Sequence, residues 1–115
     1  MRSIILYGLK TCDTCRKARR HLDAAGVDYR FRDLRADGVD GERLRRWEAA
    51  VGWEQLLNRR STTWRQLAEA DRADLTADRA IALMIDHPTL IKRPVLEYDE
   101  RVLVGYRAND YDNLS

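Results

Sequence analysis

The stretch SIILYGLKTCDTCRKARRHLDAAGVDYRFRD, residues 3–33, decides the fold. Its opening "SIILYG" is a short apolar run closed by Gly8, the pattern of a buried strand. "LKT" reads as a loop. From Asp13 to about Ala25 the spacing is helical: Cys15, Ala18, Leu22 and Ala25 fall on one stripe, while Arg16, Lys17, Arg20 and Asp23 point elsewhere. Gly26 is the expected stop. "VDYRFRD" then alternates strictly, with Val27, Tyr29 and Phe31 on one face and Asp28, Arg30 and Arg32 on the other, which predicts a second strand. The unit is β-α-β, with parallel strands and a right-handed connection.

Beyond it, "RADGVDG" reads as a turn-rich loop, and Glu42 to His87 as helix in pieces. Four apolar stripes are expected: Leu44, Trp47 and Val51; Trp53, Leu56 and Leu57; Trp64, Leu67 and Ala68; Ile81, Met84 and Ile85. Thr76 is the predicted cap of the last helix and Pro88 its end. At this spacing the three tryptophans read as core rather than as a ligand box. The final third returns to strand. "PVLEY" and "RVLVGY" are joined by Asp99-Glu100, which predicts an antiparallel hairpin, and "RANDYDNLS" predicts a short closing helix.

A chain of 115 residues forms one domain with a real core. Its net charge of +2 calls for neither a nucleic acid nor a membrane partner, and acidic residues are interleaved with the many arginines as on a solvated surface. Arg2 is followed by only five largely apolar residues, so neither a signal peptide nor a transmembrane span is expected, and the default is a cytoplasmic protein. In that reducing setting a cysteine pair is redox-active, catalytic or metal-binding before it is a permanent staple.

Cys12 and Cys15 are the only cysteines. A structural zinc site takes four ligands, and the remaining candidates, His21 and His87, lack the spacing of a finger. His21 is read instead as a partly exposed helix residue, and His87 as a helix-end residue whose charge suits the dipole there. Redox chemistry fits better. At the first turn of a helix the Cys12 sulfur faces unpaired backbone N–H groups and the positive end of the dipole. Lys10, Arg16 and Lys17 push the same way and Asp13 opposes them. Such settings lower a thiol pKa from ~8.5 to roughly 3.5–7.5. Cys15, on the inward stripe, takes the place of a resolving thiol.

These blocks carry a resemblance. "LYGLKTCDTCRKARRHLD", "LLNRRSTTW", "HPTLIKRPVLEYDERVLVGY" and the asparagine-acid pair that follows resemble, in order and over nearly the whole chain, the arsenate reductase and Spx branch of the thioredoxin-like superfamily. The resemblance implies an α/β fold, a thioredoxin-like four-stranded mixed sheet built as β-α-β then β-β-α. It implies a single domain over residues 1–115 with an all-helical insertion at roughly 40–87. It also implies that Pro94 is a cis-proline opposite the active cysteine. From the family's three-arginine anion pocket it transfers Arg93 directly. The middle arginine falls near Asn58, with Arg59 preferred over Arg60, and the third on Arg107, where the spacing around "VGYR" departs from the family pattern. Planar guanidinium forks can hold an oxyanion bidentately beside a nucleophile.

Glutathione-coupled arsenate reductases typically lack a second cysteine at the position of Cys15, whereas Spx-type regulators have both. Those regulators carry an extra C-terminal tail, and this sequence ends at Ser115. "LLNR", "TTW", "IALM" and "IKRPVL" most resemble short relatives regarded as glutathione-dependent thiol reductases. The expected function is therefore that of a cytoplasmic, monomeric thiol oxidoreductase. Cys12 attacks an oxidised sulfur, or arsenic with lower expectation. Cys15 or glutathione resolves the adduct, and Arg93 holds the anionic part of the substrate. Glutathione is the expected co-substrate, and no metal or tightly bound cofactor is expected. The alternative is a redox-switched transcription regulator that binds the C-terminal domain of the RNA polymerase alpha subunit.

Overall fold

The computed structural model describes residues 4–112 and 114. The chain divides into two compact units, Met1–Asp37 with Arg93–Ser115, and Gly38–Lys92.

The first unit holds a four-stranded mixed sheet in the order β2-β1-β3-β4. Strand β1 (Ile4–Gly8) pairs in parallel with β2 (Arg30–Asp33) and antiparallel with β3 (Val95–Tyr98), which pairs antiparallel with β4 (Arg101–Val104). As a central strand β1 is covered on both faces, so Ile4, Leu6 and Tyr7 are all buried. Ser3, read as the start of this strand, lies outside the described residues. Helix α1 (Asp13–Ala24) connects β1 to β2 and buries Cys15, Ala18 and Leu22. Ala25 is exposed rather than on the buried stripe, because the helix has already closed. The closure also explains why β2 is shorter than its alternation suggested. Gly26, at φ +69°, donates to the Asp23 carbonyl, and the Val27 N–H reaches back to the Leu22 carbonyl at 3.0 Å. That is a Schellman ending, completed by Val27 packing on the cluster that contains Leu22. Residues 27–29 keep the alternation of burial but stand outside the ladder.

The β3–β4 hairpin turns through Asp99, at φ +53°, and Glu100. β4 stops at Val104, where Gly105 turns away at φ +82° and its N–H donates to the Pro94 carbonyl. Helix α8 (Ala108–Asp112) closes the unit, with Tyr111 in the core beside Ile4, Leu6, Ala18, Leu22 and Leu96. Residues 113 and 115 of the expected closing helix lie outside the described residues. The "RADGVDG" stretch is not wholly a loop: α2 (Leu34–Asp37) opens it, because the Asp33 carboxylate accepts the N–H groups of Arg35 and Ala36 at 2.9 and 3.0 Å.

The second unit is the inserted helical block. Asp40 caps α3 (Gly41–Val51), which buries Leu44 and Trp47. α4 (Trp53–Leu56) is followed by α5 (Thr62–Gln66), capped by the Ser61 hydroxyl. The expected stripe of Trp64, Leu67 and Ala68 does not form. α5 ends at Gln66, Leu67 is extended and half-buried, and Ala68 is an exposed residue opening α6 (Glu69–Arg72), a helix absent from the sequence reading. Thr76 caps α7 (Ala77–Asp86) through the Arg79 N–H at 3.2 Å, and Ala80, Ile81 and Met84 are buried. Ile85 remains 41% exposed because it lies over Gly41, which offers no side chain to cover it. His87 caps the end of α7, and Pro88 begins a 3-10 turn, Pro88–Leu90, rather than simply ending the helix. The unit runs on to Lys92. A bridge pairs Leu57 with Ile91, the Lys92 N–H donates to the Leu56 carbonyl, and the Asn58 N–H donates to the Leu90 carbonyl. Such pairing between distant segments leaves no local periodicity. Among the described residues no helix is long and apolar enough to cross a membrane.

Candidate active site

Cys12 stands at the N-cap of α1, in extended conformation at φ −87° and ψ 122°, and its carbonyl accepts the first helical bond from Arg16 at 3.0 Å. The loop that delivers it is held at three points. The Cys12 N–H donates to the Leu9 carbonyl at 3.2 Å, the Lys10 N–H donates to Asp33 Oδ2 at 3.2 Å, and Arg16 Nε donates to the Lys10 carbonyl at 3.2 Å. Both ends of the Lys10 peptide are thus occupied.

Both thiols are free, Cys12 half-buried and Cys15 fully buried. Burial raises the Cys12 pKa, but the backbone N–H of Cys15, the Cys15 thiol, the Arg93 guanidinium and the Thr14 N–H together hold it below the ordinary thiol value. Burial pushes Cys15 the other way, up to about 12, and the neighbouring Cys12 adds to the rise. The pair is therefore divided into a thiol that gives up its proton more easily than an ordinary cysteine and one that holds it more tightly. The cation that reaches Cys12 is Arg93, brought from the other end of the chain. The charges next to Cys12 in sequence contribute less than expected, since Arg16 is turned to Asp13 at 3.5 Å and to the Lys10 carbonyl.

Arg93 is half-buried and precedes Pro94, which is buried and joined to it by a cis peptide bond. Arg107 is exposed at the turn into α8, its carbonyl accepting the N–H groups of Asp110 and Tyr111. Arg59 belongs to the helical unit. It is exposed there, with its guanidinium 5.9 Å from the Trp53 ring and 6.0 Å from the Trp64 ring. Those two tryptophans are half-buried, so only Trp47 is core in the full sense. The Asn58 side chain turns back on its own loop, accepting the Arg60 N–H at 3.0 Å, and Arg60 is exposed. Within the sheet unit the structure thus brings Arg93 to the Cys12 and Cys15 thiols, with cis Pro94 next to Arg93 in the chain.

Asp33 and Gly8 at this site, and His21 farther along α1, do more than the sequence reading assigned to them. Asp33 pins the cysteine loop and its carboxyl is held below the usual range, chiefly by the Ala36 N–H and then by those of Lys10 and Arg35. Its signal was faint: an acid at the end of a strand. Gly8, read only as the close of β1, sits against the Cys15 sulfur. His21 is more engaged than a partly exposed helix residue. Only 17% of its side chain is exposed, and its ring nitrogens hydrogen-bond the Tyr106 hydroxyl and Asp112 Oδ1, each at 2.8 Å. Its partners lie 85 and 91 residues away, beyond any local pattern.

Comparison with known proteins bears on this arrangement. The model of the ArsC family matches residues 7–114. The solved structure of a YffB protein superposes with a TM-score of 0.94 at 50% identity, covering 97% of this chain and 98% of that one. An uncharacterised protein of Haemophilus influenzae is 39% identical over 94% of this chain and 95% of its own length. The global transcriptional regulator Spx of Lactiplantibacillus plantarum is 27% identical over 93% of this chain and 82% of its own. With its four-stranded mixed sheet, its inserted helices and its Cys12–Cys15 pair, the chain belongs to the ArsC family.

Proposed function

We propose that the protein is a thiol–disulfide oxidoreductase that works with glutathione in a reducing compartment. The observation that carries this reading is the difference between the two thiols: Cys12, half-buried with its pKa lowered with help from Arg93, and Cys15, buried with its pKa raised. The Cys12 thiolate attacks one sulfur of a substrate disulfide. A Cys12–S bond forms, the substrate S–S bond breaks, and the departing thiolate takes a proton from solvent. In the mixed disulfide Cys12 no longer bears charge, so its share in raising the Cys15 pKa disappears. Cys15 then attacks the Cys12 sulfur: the Cys12–Cys15 bond forms, the bond from Cys12 to the second substrate sulfur breaks, and the Cys15 proton passes to that departing thiolate, which leaves as a thiol. Two glutathione molecules return it to two thiols by the same exchange, leaving as one oxidised glutathione. Arg93 holds the anionic part of the substrate, and a tripeptide with two carboxylates suits it.

Arsenate makes a heavier demand, because several cations must converge on one oxyanion. Arg93 is the arginine that contacts the thiol, while Arg107 is exposed at the start of α8. Disulfide substrates are therefore preferred over arsenate. The test runs a small glutathione mixed disulfide and arsenate side by side with glutathione present, using wild type and Cys12→Ser. Disulfide turnover that vanishes in the variant, with weak or absent arsenate reduction, supports the reading. Efficient arsenate turnover with inert disulfides rejects it. So does absence of both activities together with redox-dependent capture of the C-terminal domain of the RNA polymerase alpha subunit, the behaviour of a regulator.

A further inference from the structure

We propose that Gly8 is a positioning residue: by carrying no side chain at the end of β1 it supplies the space in which the Cys15 sulfur sits, and so sets how fast Cys15 resolves an adduct on Cys12. The inference rests on the resolving role given to Cys15 above.

A Cβ on Gly8 would stand 2.5 Å from Cys15 Sγ and 3.2 Å from Cys15 Cβ, with the Phe31 ring at 3.7 Å. The first distance is far inside van der Waals contact, the second could be relieved by a few tenths of an ångström, and the third is ordinary. The conflict is therefore almost entirely with one sulfur atom. Gly8 is paired with Asp33 in the parallel ladder and does not take a positive φ, so alanine meets no backbone penalty there. The requirement for glycine comes from Cys15 alone. Cys15 has little freedom to answer it, being on the buried face of α1 with 0% of its surface exposed. A methyl group at residue 8 would have to rotate the Cys15 side chain or shift α1 against β1, and either moves the resolving sulfur off its line to Cys12. The three atoms nearest to a Gly8 side chain belong to Cys15 and Phe31, not to Cys12. The effect should therefore fall on the second exchange, in which Cys15 attacks, and spare the first.

Reduced protein is treated with oxidised glutathione, quenched with acid at intervals and weighed by mass spectrometry. Wild type should pass through a glutathione adduct on Cys12 to the intramolecular disulfide, releasing two reduced glutathiones in all. Gly8→Ala should form the adduct within about twofold of the wild-type rate and resolve it about tenfold more slowly or worse, so that the adduct accumulates. Equal resolution rates overturn the inference, as does a first step slowed as much as the second. A wild type that never resolves its adduct would refute the role of Cys15 itself, and that result is read without any Gly8 variant. Thermal melts check the steric origin. Gly8→Ala should cost clearly more in the wild-type background than in Cys15→Ala, and equal costs would count against the sulfur as the cause. If Gly8→Ala alone does not fold, the double variant should, and failure of both overturns the proposal.

Discussion

The Asp33 carboxylate accepts the backbone N–H of Lys10 at 3.2 Å, so the end of β2 holds the loop that carries Cys12. The same carboxylate caps α2 through the N–H groups of Arg35 and Ala36. Asp33→Asn should weaken all three contacts, lower stability by about 1 kcal/mol and reduce the rate of Cys12 alkylation. The pH dependence has a definite sign. Because the folded carboxyl is held below its unfolded value, its contribution is complete above about pH 4 and is lost as pH falls through the folded pKa. Denaturant melts of both proteins should therefore differ at neutral pH and converge in acid. A gap that persists at the lowest pH would assign the effect to packing.

The two thiols should separate cleanly in a labelling experiment. With limiting iodoacetamide at neutral pH, Cys12 should react first and its rate should rise with a midpoint below the ordinary thiol value of 9.0. Cys15, pushed up to about 12, should label only after unfolding. The raised pKa also means that the native state holds a proton the unfolded chain has released above about pH 9, so stability should fall with rising pH there. Cys15→Ala should flatten that alkaline decline. Peptide mapping that finds Cys15 modified first would exchange the assigned roles.

Arg93→Ala removes the guanidinium that favours the Cys12 thiolate and that is proposed to hold the substrate anion. The loss of a charge-assisted contact costs roughly 1.5–3 kcal/mol, or about ten- to a hundredfold in kcat/KM. The alkylation midpoint of Cys12 should move up in the same variant, and Arg93→Lys should recover part of both because an ammonium restores charge without the fork. Wild-type kinetics with an unchanged Cys12 profile would place Arg93 outside the chemistry.

His21 ties α1 to the closing segment through Tyr106 and Asp112 and makes ring contacts with Tyr106 and Tyr111. His21→Ala should cost about 1–3 kcal/mol, two hydrogen bonds with some lost packing, and should leave the Cys12 alkylation rate within about twofold. Tyr106→Phe should remove only part of that stability. A large drop in Cys12 reactivity after either substitution would show that this contact reaches the site.

Where a segment's environment repeats along the chain, its sequence revealed it. The alternation of β2, the buried stripe of α1, the Thr76 cap and the Asp99-Glu100 turn all act within a few residues, so composition and spacing were enough to find them. The Trp64, Leu67 and Ala68 stripe misled because two short helices divide that segment at Leu67 and Ala68, and a period cannot be read across a break. The site was half legible. A cysteine at a helix start announces itself, whereas the contact of Arg93 with Cys12 was reached through resemblance. Asp33 on Lys10, His21 on Asp112 and the fit of Gly8 to the Cys15 sulfur arise only when distant segments meet.

The sheet has two outer strands, β2 and β4, of four residues each. On β2 the residues turned to water are Arg30 and Arg32, and Arg19 lies over the one aromatic ring of that strand, its guanidinium 4.2 Å from the centre of Phe31. β4 begins with exposed Arg101 and is cut short where Gly105 bends away. A foreign strand seeking the open N–H and C=O groups of either border would find few of them in line, and would have to strip water from arginine to reach them. Brevity and charge at its margins thus guard this sheet against growing from one molecule into the next.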